Sequence, residues 1–146
     1  MKKLLIVIAA TVSIIACQQR TSKTAGEKQV DPTQDSTNFT TMQWIDSTEK
    51  DLGSVKEGPE VEIAYKFKNT GNKPLIITDV HASCGCTIPE KPQEPFVPGA
   101  EGTIKAKFTT QGHPGTNNKS IYVTANTKNP NQELKFHIEV EPNKTN

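Results

Sequence analysis

The chain has 146 residues with three cysteines, and its 17 Lys and Arg side chains nearly balance 16 Asp and Glu side chains. A net charge of +1 supplies no basic field that could hold nucleic acid or an anionic membrane face. These values exclude a nucleic-acid-binding protein and leave room for one small domain.

The chain begins with a candidate secretion signal. Two lysines precede residues 4–16, which are apolar except for two hydroxyl side chains. This core is long enough for a signal peptide and too short to cross a bilayer as a helix. It ends in Ile-Ile-Ala-Cys, which resembles the lipobox of bacterial lipoproteins, where the signal is cleaved before the cysteine and the thiol is lipidated. The resemblance implies a lipoprotein signal peptide at residues 1–16 and lipid on Cys17.

Lipid on Cys17 would hold the mature protein on a membrane, since each buried methylene of an acyl chain contributes roughly 0.8 kcal/mol. Cleavage removes two of the 17 basic side chains, which leaves 15 against 16 acidic ones and a net charge of about −1. The next residue is Gln18, whereas enterobacterial lipoproteins kept in the inner membrane favour aspartate there. We therefore expect a lipid-anchored protein of the cell envelope, on the outer membrane and facing the periplasm.

Residues 17–37 are predicted to be a lipidated cysteine followed by a flexible tether. After Cys17 the segment contains two apolar side chains, so it cannot bury enough surface to offset the entropy cost of ordering. Twenty flexible residues would span on the order of 25 Å. All eight aromatic side chains fall between Phe39 and Phe136. Residues 38–146 are therefore predicted to form the folded domain.

The folded part shows the patterns of short β-strands. Four segments alternate apolar and polar residues, which indicates half-buried strands, and a fifth is more continuously apolar. The alternating segments are residues 60–69, 102–110, 119–126 and 133–141, and the apolar one is residues 73–80. Weaker strands are expected at residues 39–45 and near Phe96. Turns rich in Gly and Pro separate these segments, so the sequence predicts an all-β fold, an Ig-like antiparallel β-sandwich of about seven strands.

The middle of the folded part combines a set of turn and strand residues: Phe67, residues 69–71, Pro74, Leu75, residues 83–87, Pro98, Gly99, Gly115 and Asn126. As a set they resemble a bacterial family called domain of unknown function 1573. The resemblance covers roughly residues 60–142. The family is similar in fold to Ig-like domains of ciliary and centrosomal scaffold proteins, and it occurs often as envelope lipoproteins. It brings no established activity, so the resemblance implies a fold and a compartment rather than a reaction.

The segment His-Ala-Ser-Cys-Gly-Cys, which begins at His81, contains the residues with the most chemistry. With Cys17 lipidated, Cys84 and Cys86 are an even pair in a compartment where thiols tend to be oxidised or metal-bound. A disulfide between them would close a small ring, with Gly85 accepting the unusual backbone angles, and it could be an inert staple or a redox-active bond. Alternatively, His81 and the two thiolates could hold Cu(I) or zinc.

Two further interpretations of the cysteines stay open. As free thiols, Cys84 and Cys86 could pack as small apolar groups in a strand. One of them could also be a catalytic thiol, with His81 as its base and Asp79 as the orienting acid. The prolines that follow forbid a central strand, so the motif should lie at a crossing on the edge of the sandwich.

We therefore expect a non-enzymatic envelope lipoprotein, without a cofactor, whose Ig-like domain binds or scaffolds a protein or an envelope polymer. The alternative function is thiol-redox chemistry or Cu(I) handling through Cys84 and Cys86.

Overall fold

The computed structural model describes residues 35–143. The predicted signal peptide, Cys17 and the tether up to residue 34 lie outside this part, as do residues 144–146. No helix in the described part is long and apolar enough to cross a membrane. The described part begins with a 3₁₀ turn, Ser36–Asn38, which is capped by the side chain of Asp35 and includes two residues assigned to the tether.

Eight strands within the described residues form a sandwich of two four-stranded sheets, which confirms the all-β prediction. The strands are β1 (Met42–Trp44), β2 (Glu49–Lys56), β3 (Glu60–Asn69), β4 (Ile77–Ala82), β5 (Thr87–Glu90), β6 (Glu101–Thr109), β7 (Gly115–Ala125) and β8 (Asn131–Glu141). The first sheet has the order β1-β3-β6-β5 and the second has the order β2-β8-β7-β4. Strands β5 and β4 are therefore edge strands, one in each sheet.

The structure departs from the sequence prediction at two strands. β2 is not among the predicted strands, because its apolar residues Leu52 and Val55 are spaced by three and give no period of two. It pairs in parallel with β8, so the sandwich is not wholly antiparallel. The weak strand expected near Phe96 is a single bridge between Phe96 and Leu75.

The core lies between the sheets and is built from the predicted alternation. In β3, for example, Ile63, Tyr65 and Phe67 point inward and are at most 2% exposed. Tyr65 keeps its hydroxyl satisfied by donating to the carbonyl oxygen of Lys135 across 2.6 Å, and burial raises its pKa to about 12. The inner faces of both sheets thus supply one continuous apolar layer.

Between β1 and β2 the chain passes from the first sheet to the second. Side chains of this segment and of β2 cover the part of β3 that does not pair with β1. Asp46 Oδ2 accepts the backbone N–H of Lys66 across 3.1 Å, and Lys50 Nζ donates to the carbonyl oxygen of Ala64 across 2.6 Å. The same Lys50 ammonium lies 3.0 Å from Asp46 Oδ2, and its hydrogen bond is the main cause that lowers the pKa of Asp46. These contacts satisfy backbone groups of β3 that β1 is too short to reach.

Two buried asparagines, Asn69 and Asn126, hold the end of the sandwich where the chain enters it. Asn69 donates to the carbonyl oxygens of Lys73 and Phe96, each across 2.8 Å, and accepts from Thr40 and Gly71. All hydrogen-bonding positions of this amide are therefore used, although it is fully buried. Residues that carry the family resemblance thus fix turns of the fold.

Candidate functional site: the disulfide turn and the adjacent groove

The chain crosses from the second sheet to the first through residues 83–86, which we call the disulfide turn. It leaves edge strand β4 and joins edge strand β5, the edge crossing that the sequence predicts. The N–H of Thr87 donates to the carbonyl oxygen of Cys84 across 3.3 Å, and the N–H of Thr109 donates to that of Cys86 across 2.9 Å. Backbone hydrogen bonds therefore hold the turn on both sides of the cysteines.

A disulfide joins Cys84 and Cys86, with 5.4 Å between their Cα atoms. Cys86 packs against the core, and Cys84 Sγ lies 3.7 Å from the hydroxyl oxygen of Thr87. Both sulfurs belong to this bond, so in the oxidised form neither is the thiolate that metal binding or nucleophilic attack requires. The metal and catalytic-thiol interpretations therefore apply only after reduction, whereas a redox-active bond is compatible with the oxidised form.

Gly85, between the two cysteines, does not have the role expected from the sequence. Its φ is not positive, and a Cβ built on it would meet no atom within 4 Å. The expectation that Gly85 supplies unusual backbone angles is therefore wrong. The absence of a side chain instead leaves open space beside the disulfide.

His81 lies on the outer face of the second sheet, just before the disulfide turn. Its Nδ1 is 2.7 Å from Asp79 Oδ2, and its ring stacks on Tyr122 with 5.2 Å between ring centroids. The acid–base pair expected for a catalytic thiol thus forms, with both side chains largely exposed. Among residues 35–143, no group of three or more His, Cys, Asp or Glu side chains is arranged to hold a metal ion.

A groove of about 530 Å³ crosses the outer face of the second sheet, from β2 over β8 to β7. Its walls are two rows of outward side chains, and the row between them turns its side chains inward and leaves backbone as the floor. One wall is Glu49, Lys135 and Ser120, the other is Asp51, His137 and Asn118, and the floor row is Lys50, Phe136 and Lys119. We call this feature the sheet groove.

The sheet groove carries charges of both signs. Lys135 Nζ lies 3.8 Å from Glu49 Oε1 and 3.6 Å from Glu133 Oε2. On the other wall, His137 Nδ1 is 2.9 Å from Asn118 Oδ1. These groups are exposed, so their ion pairs add little stability and remain available to a ligand.

The sheet groove leads to the disulfide turn. Ser120, at the end of one wall, donates its N–H to the hydroxyl of Ser83 across 3.1 Å and accepts from the N–H of Ser83 across 2.9 Å. The wall formed by Glu49, Lys135 and Ser120 thus ends at the first residue of the turn. Sequence reasoning missed this groove because the alternating charged residues look like ordinary solvated surface, and no local signal reports how β2 pairs with β8.

The apolar side chains exposed in the described part are dispersed. Ile45 follows β1, Ile88 lies on edge strand β5, Val97 is in the loop before β6, and Tyr122 is on the outer face of the second sheet. Each of these four residues thus lies on a different strand or loop of the fold.

The family model described as "Protein of unknown function (DUF1573)" matches residues 43–140. No curated protein matches the chain. Among solved structures, a protein of unknown function from Porphyromonas gingivalis W83 is 18% identical, with a TM-score of 0.63 over 72% of this chain and 49% of that one. The chain thus spans about half the length of that protein.

Two other solved structures show the same fold at lower identity. The ASH/PapD-like domain 7 of human CEP192 is 8% identical, with a TM-score of 0.55 over 75% of this chain and 89% of that one. The secreted serine protease VesC from Vibrio cholerae is 12% identical, with a TM-score of 0.50 over 73% of this chain and 24% of that one. Identities this low establish a shared fold and no shared activity.

Proposed function

This chain belongs to the DUF1573 family of proteins of unknown function, and we propose that it is a non-enzymatic binding module of the cell envelope. In this proposal, lipid on Cys17 anchors it to the outer membrane on the periplasmic side. Its ligand is an extended, polar envelope polymer that lies in the sheet groove. The observation that carries the proposal is the two-walled groove on the outer face of the second sheet, with charges of both signs.

The direction of the groove constrains its occupant. It crosses three strands, and strands in a sheet are spaced about 4.8 Å apart, so the groove and the adjacent edge strand span roughly 15 Å. A ligand in it lies across the strands. A peptide added as an extra strand would instead run along an edge strand, so the groove favours a chain held by side-chain hydrogen bonds rather than by β-augmentation.

The charges of the groove favour a polymer that carries both amines and carboxylates. Glu49 and Asp51 offer carboxylates along β2, whereas Lys135 offers an ammonium beside them. Peptidoglycan has this chemistry, because its glycan strands bear short peptides with both kinds of group. A stable protein partner would more commonly need an apolar centre to its interface, and the exposed apolar side chains of residues 35–143 are dispersed.

The anchor and the domain geometry are compatible with this ligand. Residues 18–34 separate Cys17 from the described part, and a fully extended chain of this length reaches at most about 60 Å. The 3₁₀ turn at which the chain enters lies at the end with the β3–β4 and β7–β8 connections, where Asn126 contacts Asn38. The disulfide turn joins the last residue of β6 at the opposite end. The domain could thus engage a polymer well away from the lipid surface.

Cosedimentation of the full-length protein with purified peptidoglycan sacculi tests the proposal. Lys135→Glu should weaken binding about tenfold, because it places a third carboxylate beside Glu49 and Glu133. Lys105→Glu is the matched control, since Lys105 points outward on the central strand β6 of the other sheet. It makes the same change of charge and should leave binding unchanged.

A second preparation, sacculi with the peptides enzymatically removed, identifies the recognised chemistry. Loss of binding to this preparation would assign recognition to the charged peptides. If neither preparation retains the wild-type protein, or if the two lysine variants bind equally well, the polymer proposal is wrong. Capture of one envelope protein by crosslinking from the groove would then assign a protein partner instead.

A further inference from the structure

Thr87 is a buried residue whose hydroxyl is directed at the disulfide. The residue is 3% exposed, and its Oγ1 lies 3.7 Å from Cys84 Sγ. Among the described residues, Cys84 Sγ is the one hydrogen-bonding contact of the Thr87 hydroxyl. A disulfide sulfur is a weak acceptor, so the hydroxyl is poorly satisfied in the oxidised form. A thiolate at the same position would be a charged acceptor and would form a much stronger hydrogen bond.

The two sulfurs have different surroundings. Cys86 packs against the hydrophobic core, where a thiolate would lose its hydration. Cys84 instead faces the hydroxyl of Thr87. When the bond between them opens, negative charge is therefore better accommodated on Cys84. Thiol–disulfide exchange is faster when the departing sulfur is the more stable thiolate, which makes Cys84 the departing sulfur.

The surroundings of the disulfide favour its opening within the folded domain. It closes a ring of three residues, so it restricts the unfolded chain very little. The hydrogen bonds between Ser83 and Ser120 and between Thr109 and Cys86 hold the ends of the turn independently of the sulfurs. Gly85 leaves the space beside the turn open to an approaching thiol. These features suit a bond that is exchanged rather than one that staples distant segments.

We propose that Cys84–Cys86 is a thiol–disulfide exchange site, in which the hydroxyl of Thr87 donates to Cys84 as that sulfur departs. The co-reactant is a dithiol, either a protein with a Cys-x-x-Cys pair or a small molecule. One of its thiolates bonds to Cys86 Sγ, the Cys84–Cys86 bond breaks, and the electron pair remains on Cys84.

The second thiol of the co-reactant completes the reduction. After losing its proton it attacks the mixed disulfide and displaces Cys86 as a thiolate, which takes up a proton. The co-reactant leaves as a disulfide, oxidised by two electrons, and the protein carries two reduced cysteines. The reverse sequence transfers the disulfide to a reduced dithiol. This site is separate from ligand binding in the sheet groove and does not depend on it.

Thr87→Val tests the role of the hydroxyl, because valine has nearly the same shape and no donor. The full-length protein is equilibrated with mixtures of reduced and oxidised dithiothreitol, and its thiols are counted by alkylation and mass spectrometry. The equilibrium constant for reduction should fall about tenfold in Thr87→Val, since a hydrogen bond to a charged group is lost. The alkylation rate of reduced Cys84 at pH 7 should fall in Thr87→Val, because less of this thiol is ionised without the hydroxyl. In Thr87→Ser the rate should stay near that of the wild type.

Two controls separate this role from packing. Thr103→Val makes the same change on the outer face of the first sheet and should leave the equilibrium at the wild-type value. Thr87→Ser restores the hydroxyl and should recover most of the lost equilibrium constant. Thermal unfolding of the oxidised proteins verifies that each variant is folded. The proposal is wrong if Thr87→Val and Thr103→Val reduce alike, or if the folded wild-type protein resists reduction by excess dithiol.

Discussion

Nδ2 of Asn126 donates a hydrogen bond to the carbonyl oxygen of Asn38 across 2.8 Å. The same amide donates to the carbonyl oxygen of Pro74 across 3.0 Å and accepts from the N–H of Ile76 across 2.7 Å. Asn126 is 1% exposed, so these bonds are shielded from water. One side chain therefore joins the start of the domain, the β3–β4 connection and the β7–β8 turn.

Asn126→Ala should lower the free energy of unfolding by about 2–4 kcal/mol, because it leaves a buried N–H and two carbonyl oxygens without this partner. Urea unfolding followed by circular dichroism measures the change. Asn131→Ala is the control, since its exposed side chain accepts one long hydrogen bond from Thr124. It should cost less than about 0.5 kcal/mol. An equal loss in both variants would show that the buried amide is not the cause.

Gly71→Ala should destabilise the fold by about 1–3 kcal/mol through overpacking. An added Cβ would lie 2.5 Å from the backbone nitrogen of Thr41 and closer still to the side chain of Thr40, and this backbone cannot move aside cheaply. Gly85→Ala is the matched substitution at a site where a Cβ meets no atom within 4 Å. The midpoint of thermal unfolding of Gly71→Ala should be well below that of Gly85→Ala. Equal midpoints would contradict the close approach of residue 71 to Thr40 and Thr41.

Tyr65 should make the domain lose stability as the pH rises above 10. Its pKa is raised to about 12 by burial in the folded state, whereas an unfolded tyrosine titrates near its ordinary value of 10.0. Between these values the unfolded state releases its proton first, so the contribution of Tyr65 is complete below pH 10 and declines towards pH 12. In Tyr65→Phe the slope of stability against pH in this window should be smaller. Parallel curves for the two proteins would contradict this account.

Cys17→Ala should abolish lipid attachment and membrane retention, as the lipobox resemblance predicts. The folded domain should keep its unfolding midpoint, because the strands of the sandwich are built from the described residues, 35–143, and residue 17 is not among them. Metabolic labelling with a fatty-acid analogue and Triton X-114 partitioning test the prediction. Cys84→Ala is the cysteine control and should remain labelled. If Cys17→Ala still partitions with the detergent, the anchor lies elsewhere.

Local patterns in the sequence were enough to predict the sandwich. Alternation such as Ile63, Tyr65 and Phe67 reports burial directly, because neighbouring residues in a strand face opposite sides of a sheet. The prolines after Cys86 likewise indicated an edge, since proline cannot donate to a central ladder. Pro89 indeed lies in edge strand β5. These signals depend on a few neighbouring residues and need no knowledge of the rest of the chain.

The sheet groove and the direction of the Thr87 hydroxyl depend instead on how the whole chain is folded. Glu49 and Lys135 share a groove wall only because β2 pairs in parallel with β8, and the bulged register around Gly53 leaves no regular period to reveal that pairing. The direction of the Thr87 hydroxyl likewise follows from the turn that places it beside Cys84. The sequence by itself thus determined the alternation that buries the core and the edge position of the cysteine pair. The tertiary structure decided which of them meet, because strand register is set by the packing of the whole sandwich.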